Sequence, residues 1–213
     1  MTGSQILSLL MARLGNRTDP TLRANALLEL ILFQQTKLER GPVLPWFLLL
    51  TDQSLTLTAN QRYIALPAGF LRECDDTSSL FILDDDGKQR VMVKKDWDEL
   101  MDHYGSDATS ELPLTYCLRG TRIETFPVGT VARTLKFTYY GADTAPTDAE
   151  AENLWMLHAS DLLLAGTGVA AAGKHTHDPE LAAAFSAEQA SSYARLMVEN
   201  TARAEAGRSR RMG

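Results

Sequence analysis

The chain has 213 residues and a formal charge of -6, from 21 Lys and Arg against 27 Asp and Glu. Apolar residues make up 45% and charged residues 23%, the balance of a globular protein long enough for one or two buried cores. The acidic excess argues against broad nucleic-acid binding, which needs a basic surface to displace counterions.

The N-terminus lacks a basic region before its first apolar stretch, and Arg13 interrupts "ILSLLMARL", so no signal peptide is expected. The longest apolar runs, "LPWFLLL" and "LLLAGTGVAAAG", fall short of the roughly 20 residues of a bilayer span. Cys74 and Cys117 read as small reduced side chains in strand or strand-edge context. Together these features predict a soluble chain made in a reducing cytoplasm.

Ile6, Leu9, Leu10 and Leu14 follow helical spacing, and Gly15-Asn16 ends that first helix. Asp19-Pro20 is a cap followed by proline at the first helical position. It opens a second helix whose face carries Leu22, Ala26, Leu27, Leu30, Ile31, Gln34 and Leu38, stopped by Gly41-Pro42. From about Leu48 to Tyr140 short runs of strand character replace this pattern: "SLTLT", "RYIALP", "SLFILD", "RVMVK", "LTYCLR", "TRIETF" and "TLKFTYY". One helix interrupts them, with Asp96 and Glu99 expected to form a capping box and Gly105 the stop. Thr147 to Glu150 is expected to cap the next helix, through Leu154, Leu157, Asp161, Leu162 and Ala165. Asp178-Pro179 opens the last, through Phe185, Gln189, Tyr193, Leu196 and Asn200.

The predicted fold class is α+β: a helical bundle, made of an N-terminal helical hairpin plus two long C-terminal helices, with an inserted antiparallel β-domain and a flexible C-terminal arm. The expected divisions are residues 1–47 for the hairpin, 48–141 for the β-domain with one short helix, 142–202 for the closing helices, and 203–213 for the basic arm.

Several stretches carry the spacing of a site without its context. Gly168 to Lys174 fits G-x-x-x-x-G-K, but a phosphate loop needs a strand before it and Ser or Thr after the lysine; here a capped helix precedes it and His175 follows. Asp84-Asp85-Asp86-Gly87 reads as a hairpin turn between "LFIL" and "RVMV" rather than a calcium loop. His175-Thr176-His177-Asp178 reads as a polar interhelical loop, with no partner motif for a metal. His103 and His158 fall on helices without matching partners, and no nucleophile elbow occurs. No catalytic, cofactor or metal site is predicted, and the chain is not expected to be an enzyme. The last stretch is locally positive: Arg203, Arg208, Arg210 and Arg211 suit an arm that orders on a partner's carboxylates or phosphates, the alternative being a solubilising tail.

Taken in order, the helical hairpin, "WFLLL", "QRYIALPAGFLR", "LRGTRIETFPVG", "LKFTYYG" and "NLWMLHASDLLLAGTGVAAA" resemble the head-to-tail adaptor proteins of tailed bacteriophages, over about residues 5 to 200. The resemblance rests on Tyr63 to Pro67, on Arg119, Gly120, Ile123 and Pro127, on Tyr139-Tyr140, and on Asn153, Leu154, Leu157, Asp161, Leu162, Leu163 and Gly166. It implies a structural virion protein of the neck between capsid and tail, present in the host cytoplasm during assembly. Its partners would be the portal protein, a tail or nozzle protein, and other copies of itself in a ring, a dodecamer in this family. That ring extends the channel for passing genomic DNA, without sequence-specific binding and without a membrane. In such adaptors the C-terminal segment reaches into the portal, which would give the arginines their partner. The competing readings are another neck or tail-completion protein and a small nucleotide-dependent enzyme using Gly168 to Lys174.

Overall fold

The computed structural model describes residues 1–15, 18–74 and 79–209, with side chains described as far as Arg203. The chain divides into two compact units, residues 49–141 and the segments on either side of them.

The outer segments form a helical unit. Helix α1 (Gly3–Arg13) begins at a capping box: the Gln5 amide donates to Thr2 Oγ1 at 3.2 Å, and the Thr2 amide to Gln5 Oε1 at 3.1 Å. Ile6, Leu7, Leu10 and Leu14 are buried, whereas Leu9, expected with them, faces outward and is 46% exposed. Helix α2 (Pro20–Leu32) starts as the sequence predicts, with Asp19 Oδ1 accepting from the Thr21 amide at 2.8 Å. It then widens through a π-turn over Phe33–Leu38, where the Glu39 amide reaches back to the Gln34 carbonyl at 3.0 Å. The extra residue in that turn brings Gln34, Leu38 and Glu39 all to the inside.

Helix α4 (Leu154–Ala170) does not start from the expected box at Thr147. Asp148 is taken by Arg23 and Glu150 by Thr2, and Asn153 caps the helix through the Met156 amide at 2.8 Å. The axis is broken at Ala159 (φ -143°, ψ 36°), and the helix widens over Ala171–Thr176 before His177 ends it with φ +52°. Among the described residues, Leu154–Thr176 is one stretch long and apolar enough to cross a membrane by length and composition, and more than half of it is buried within the protein, as in a core helix. Helix α5 (Pro179–Ser209) opens on Asp178, which accepts from the Leu181 amide at 3.0 Å. Its buried seam is Phe185, Ser192 and Leu196; Tyr193, expected on that face, is 36% exposed.

Residues 49–141 form the β-unit. One sheet runs β1 (Leu49–Leu57), β11 (Arg133–Gly141), β4 (Leu80–Leu83), β5 (Gln89–Val91), with β3 (Phe70–Glu73) also on β11. The other runs β2 (Tyr63–Ala65), β9 (Arg122–Phe126), β8 (Thr115–Arg119), β6 (Val93–Lys94). Strands β5 and β6 are one extended segment with a change of partner. The Met92 amide bonds to the Leu80 carbonyl, and the Val93 amide, pointing the other way, to the Leu114 carbonyl. The two sheets therefore share a strand and enclose a single core of Leu57, Leu80, Ile82, Met92, Tyr116, Ile123, Leu135, Phe137 and Tyr139.

Helix α3 (Trp97–Tyr104) covers a second cluster, Leu100, Cys117 and Phe126. Its Asp96 makes no side-chain cap, and Glu99 pairs with Lys95, so the expected capping box is absent; Gly105, at φ +68°, does stop it. The short β7 (Thr109–Ser110) and β10 (Val128–Gly129) pair in parallel. The Asp84 turn is a hairpin as predicted, with Asp84 Oδ1 accepting from the Asp86 and Lys88 amides at 3.1 and 2.8 Å. Asp85 forms a two-pronged pair with the buried Arg133 at 2.6 and 3.2 Å. Cys74 and Cys117 are both free, and burial pushes the Cys117 thiol above its ordinary range.

The helical unit turns on Glu39. Its carboxylate is buried, and Oε1 accepts from Gln34 Nε2 (2.9 Å), Trp155 Nε1 (3.2 Å) and the Asp143 amide (3.3 Å). Asn153 Nδ2 donates to Gln34 Oε1 at 2.9 Å and to the Thr144 carbonyl at 2.7 Å, and Asp143 Oδ2 accepts the Trp155 amide at 3.2 Å. One polar cluster thus joins the π-turn of α2, the segment entering from the β-unit and the start of α4. Burial raises the Glu39 pKa above the ordinary carboxylate value, against the lowering effect of its donors. Between the ordinary and the raised value the folded state holds a proton that the unfolded state has lost, so this group adds stability as pH falls through that window. Asp148 and Glu188, held low by Arg23 and Arg13, act in the opposite sense and cancel when a Glu39 variant is compared with wild type. Glu39→Gln keeps the acceptor oxygen without the charge. It should be at least as stable as wild type in urea unfolding at pH 8, with the difference shrinking as pH falls toward the ordinary carboxylate range; an equal loss at every pH would contradict this.

Candidate functional site

The C-terminal half of α5 gathers aromatic and charged side chains of the helical unit around Trp46 and His158. Asn200 Oδ1 accepts from the Trp46 amide at 2.8 Å, which fixes the short helical turn Trp46–Leu48 against α5. The Trp46 ring then lies between two cationic or aromatic neighbours. The Arg203 guanidinium carbon is 3.8 Å from its centroid, and the His158 ring is 4.8 Å away edge-on. His158 also stacks on Phe47 at 5.1 Å, and Phe47 meets Trp155 edge-on at 5.0 Å, linking this surface to the Glu39 cluster.

Beside this aromatic group, the break at Ala159 opens a groove of about 240 Å3 lined by His158, Asp161, Ser192, Arg195 and Glu199, among others. Asp161 Oδ2 accepts from Ser192 Oγ at 3.1 Å and from Arg195 Nη2 at 2.5 Å. Arg203 holds Glu199 through Nε and Nη2 at 3.0 and 2.8 Å. The charges in the groove are thus matched to one another, Asp161 with Arg195 and Glu199 with Arg203.

Of the residues the sequence singled out for partner binding, Arg203 is placed here, half-exposed and already engaged with Trp46 and Glu199. Arg208 lies on α5, and Arg210 and Arg211 lie outside the described residues. Helix α5 continues through Ser209, past the point where the sequence expects the arm to begin. Ala-, Glu- and Arg-rich sequence sustains a helix by propensity and by the Glu199–Arg203 pair one turn apart, without apolar periodicity. Trp46, His158 and Asn200 carried no signal beyond the "WFLLL" run and helical spacing. Their association depends on pairing the short turn before the β-unit with a residue some 150 positions later.

Gly168 to Lys174 does not form a loop. Gly168 lies within α4 and Lys174 in the wide turn that ends it, where Nζ is 3.0 Å from both oxygens of Glu29. The glycines serve packing: a Cβ at Gly166 would sit 2.1 Å from Phe33 Cζ, and one at Gly168 2.5 Å from Phe185 Cδ1. His175 Nε2 lies 3.4 Å from Glu29 Oε1, and among the described residues no group of three or more His, Cys, Asp or Glu is placed to hold a metal ion.

The two units make this an α+β protein, and in the helical unit the exposed charges are largely assembled into matched pairs. The SU10 adaptor protein family matches residues 1–213, the whole chain, and the chain belongs to that family of phage head-to-tail adaptors. No curated protein matches it.

The glycine notches separate packing from propensity. In an open helix, Gly→Ala gains up to about 1 kcal/mol, but overpacking a filled core costs about 1–3 kcal/mol. Gly166→Ala and Gly168→Ala should therefore each lower stability in urea unfolding, by up to about 2 kcal/mol net of the helix gain. Gly173→Ala, with nothing within 4 Å of the new Cβ, should be neutral or stabilising. Stabilisation at Gly168 would show that Phe185 does not fill that notch.

Proposed function

We propose that this chain is the head-to-tail adaptor of a tailed-phage virion. It docks on the portal ring, extends the DNA channel and presents the surface to which the tail or nozzle attaches. The observation that carries the reading is the family match along the entire chain. In this account the helical segments, residues 1–47 and 142–202, form a bundle that packs side by side with further copies in a ring, a dodecamer. The inserted β-domain, 48–141, contacts the next component, and residues 203–213 are the basic arm that engages the portal through Arg203, Arg208, Arg210 and Arg211. The site of action is the virion neck, reached from the host cytoplasm during assembly. The work is structural rather than catalytic.

The formal charge of -6 supports the channel role, because an acidic overall balance avoids tight phosphate contacts with DNA that must slide past. The local excess of arginine at the C-terminus supports the portal contact, since guanidinium forks hold carboxylates in two-pronged pairs. Arg203 would exchange its present partners, the half-exposed Glu199 and the partly buried Trp46 ring, for those of the portal.

Deleting residues 203–213 should abolish co-sedimentation with portal rings while leaving the circular dichroism spectrum of a folded protein. Unchanged portal binding by the truncated chain would refute the role given to the arm.

A further inference from the structure

A surface helix ordinarily turns its charged residues to solvent and its apolar stripe to the core. Helices α2 and α5 depart from that rule in a matched way. On α2 the residues pointing away from the core are Thr21, Ala24, Leu28 and Leu32, all exposed, with Leu28 at 58% and Leu32 at 49%. On α5 they are Ala183, Ala187, Ala190, Ala194 and Val198, again all exposed, with Val198 at 71%. Spacings of three and four residues put each set on one continuous face.

The charges of both helices are turned aside to partners within the chain. On α2, Arg23 pairs with Asp148 at 2.6 Å and Glu29 with Lys174 at 3.0 Å. On α5, from Leu181 to Arg203, Glu188 pairs with Arg13, Arg195 with Asp161, and Glu199 with Arg203, at 2.5 to 2.8 Å. Both outward faces are therefore neutral, and neither would have to strip water from an unpaired charge on being covered. They also differ in relief: α2 presents leucine side chains, and α5 presents alanines that let another helix approach closely. Leucine ridges on one face and shallow alanine grooves on the other are the pairing that helix packing favours.

We propose that the α2 face of one copy docks on the α5 face of a second copy, a heterologous contact that repeats from subunit to subunit. Because the two faces are different surfaces of the same chain, such contacts propagate from copy to copy, and they make a ring where the rotation between copies closes. The contact supplies the subunit interface of the adaptor ring, and its biological sense rests on that reading; its physical test does not require the portal.

Sedimentation velocity of the full-length chain over rising concentration tests it. Wild type should shift from monomer to species of at least twice the monomer mass. Leu28→Glu and Ala190→Glu, both at exposed positions, should each lose that shift while keeping the wild-type circular dichroism spectrum. A mixture of the two variants retains one intact face of each kind, so it should form dimers and stop there. A wild type that stays monomeric at every concentration, a Leu28→Glu protein that still self-associates, or a mixture without dimers would each overturn the proposal. If the faces behave as expected but wild type fails to bind portal rings, the adaptor reading fails and the interface stands.

Discussion

The helical unit depends on a carboxylate that has been taken out of water and satisfied by three N–H donors. Glu39 collects Gln34 from its own π-turn, Trp155 from the start of α4 and the backbone of Asp143 from the segment arriving out of the β-unit. A buried charge satisfied this way costs desolvation, and losing any one donor leaves that cost less compensated. The geometry is correspondingly specific. The wide turn in α2 aims Gln34 and Glu39 inward, Asn153 both caps α4 and holds Gln34, and the Trp155 ring passes the constraint to Phe47. From Phe47 it continues to His158 and Trp46, so the surface that includes Arg203 is built outward from the same cluster.

Charge is handled in a consistent way across the helical unit. Arg13, Arg23, Lys174, Arg195 and Arg203 each have an acidic partner, several of them far away in the sequence. Exposed pairs of this kind contribute little to stability individually. Their larger consequence is spatial, because they keep charge off the outward faces of α2 and α5.

Much of the fold was legible because local chemistry announces it. Asp19-Pro20 and Asp178-Pro179 set helix starts where expected, Gly105 stopped α3, and the Asp84 to Gly87 turn joined β4 to β5. Elements whose cause is distant were not. The residues from Thr147 to Glu150 look like a capping box, but Arg23 and Thr2 claim the Asp148 and Glu150 side chains, and Asn153 caps α4 instead. Leu9 and Tyr193 satisfy helical spacing yet sit just off the buried stripe, since spacing does not reveal where a neighbouring helix ends. Strand β3, paired with β11 through Arg72 and Glu73, lacks alternation of its own. Of the candidate site, the arginines were visible as composition. The Trp46, His158 and Asn200 platform beneath Arg203 was not, because only the tertiary fold brings those three together.

The central claim is that this chain builds the junction between capsid and tail. Cryo-electron imaging of phage particles whose copy of this chain carries a bulky tag tests it most directly. A ring of tag density directly below the portal, between it and the tail, is the expected result. Tag density elsewhere on the particle, or intact particles that lack the chain altogether, would contradict it.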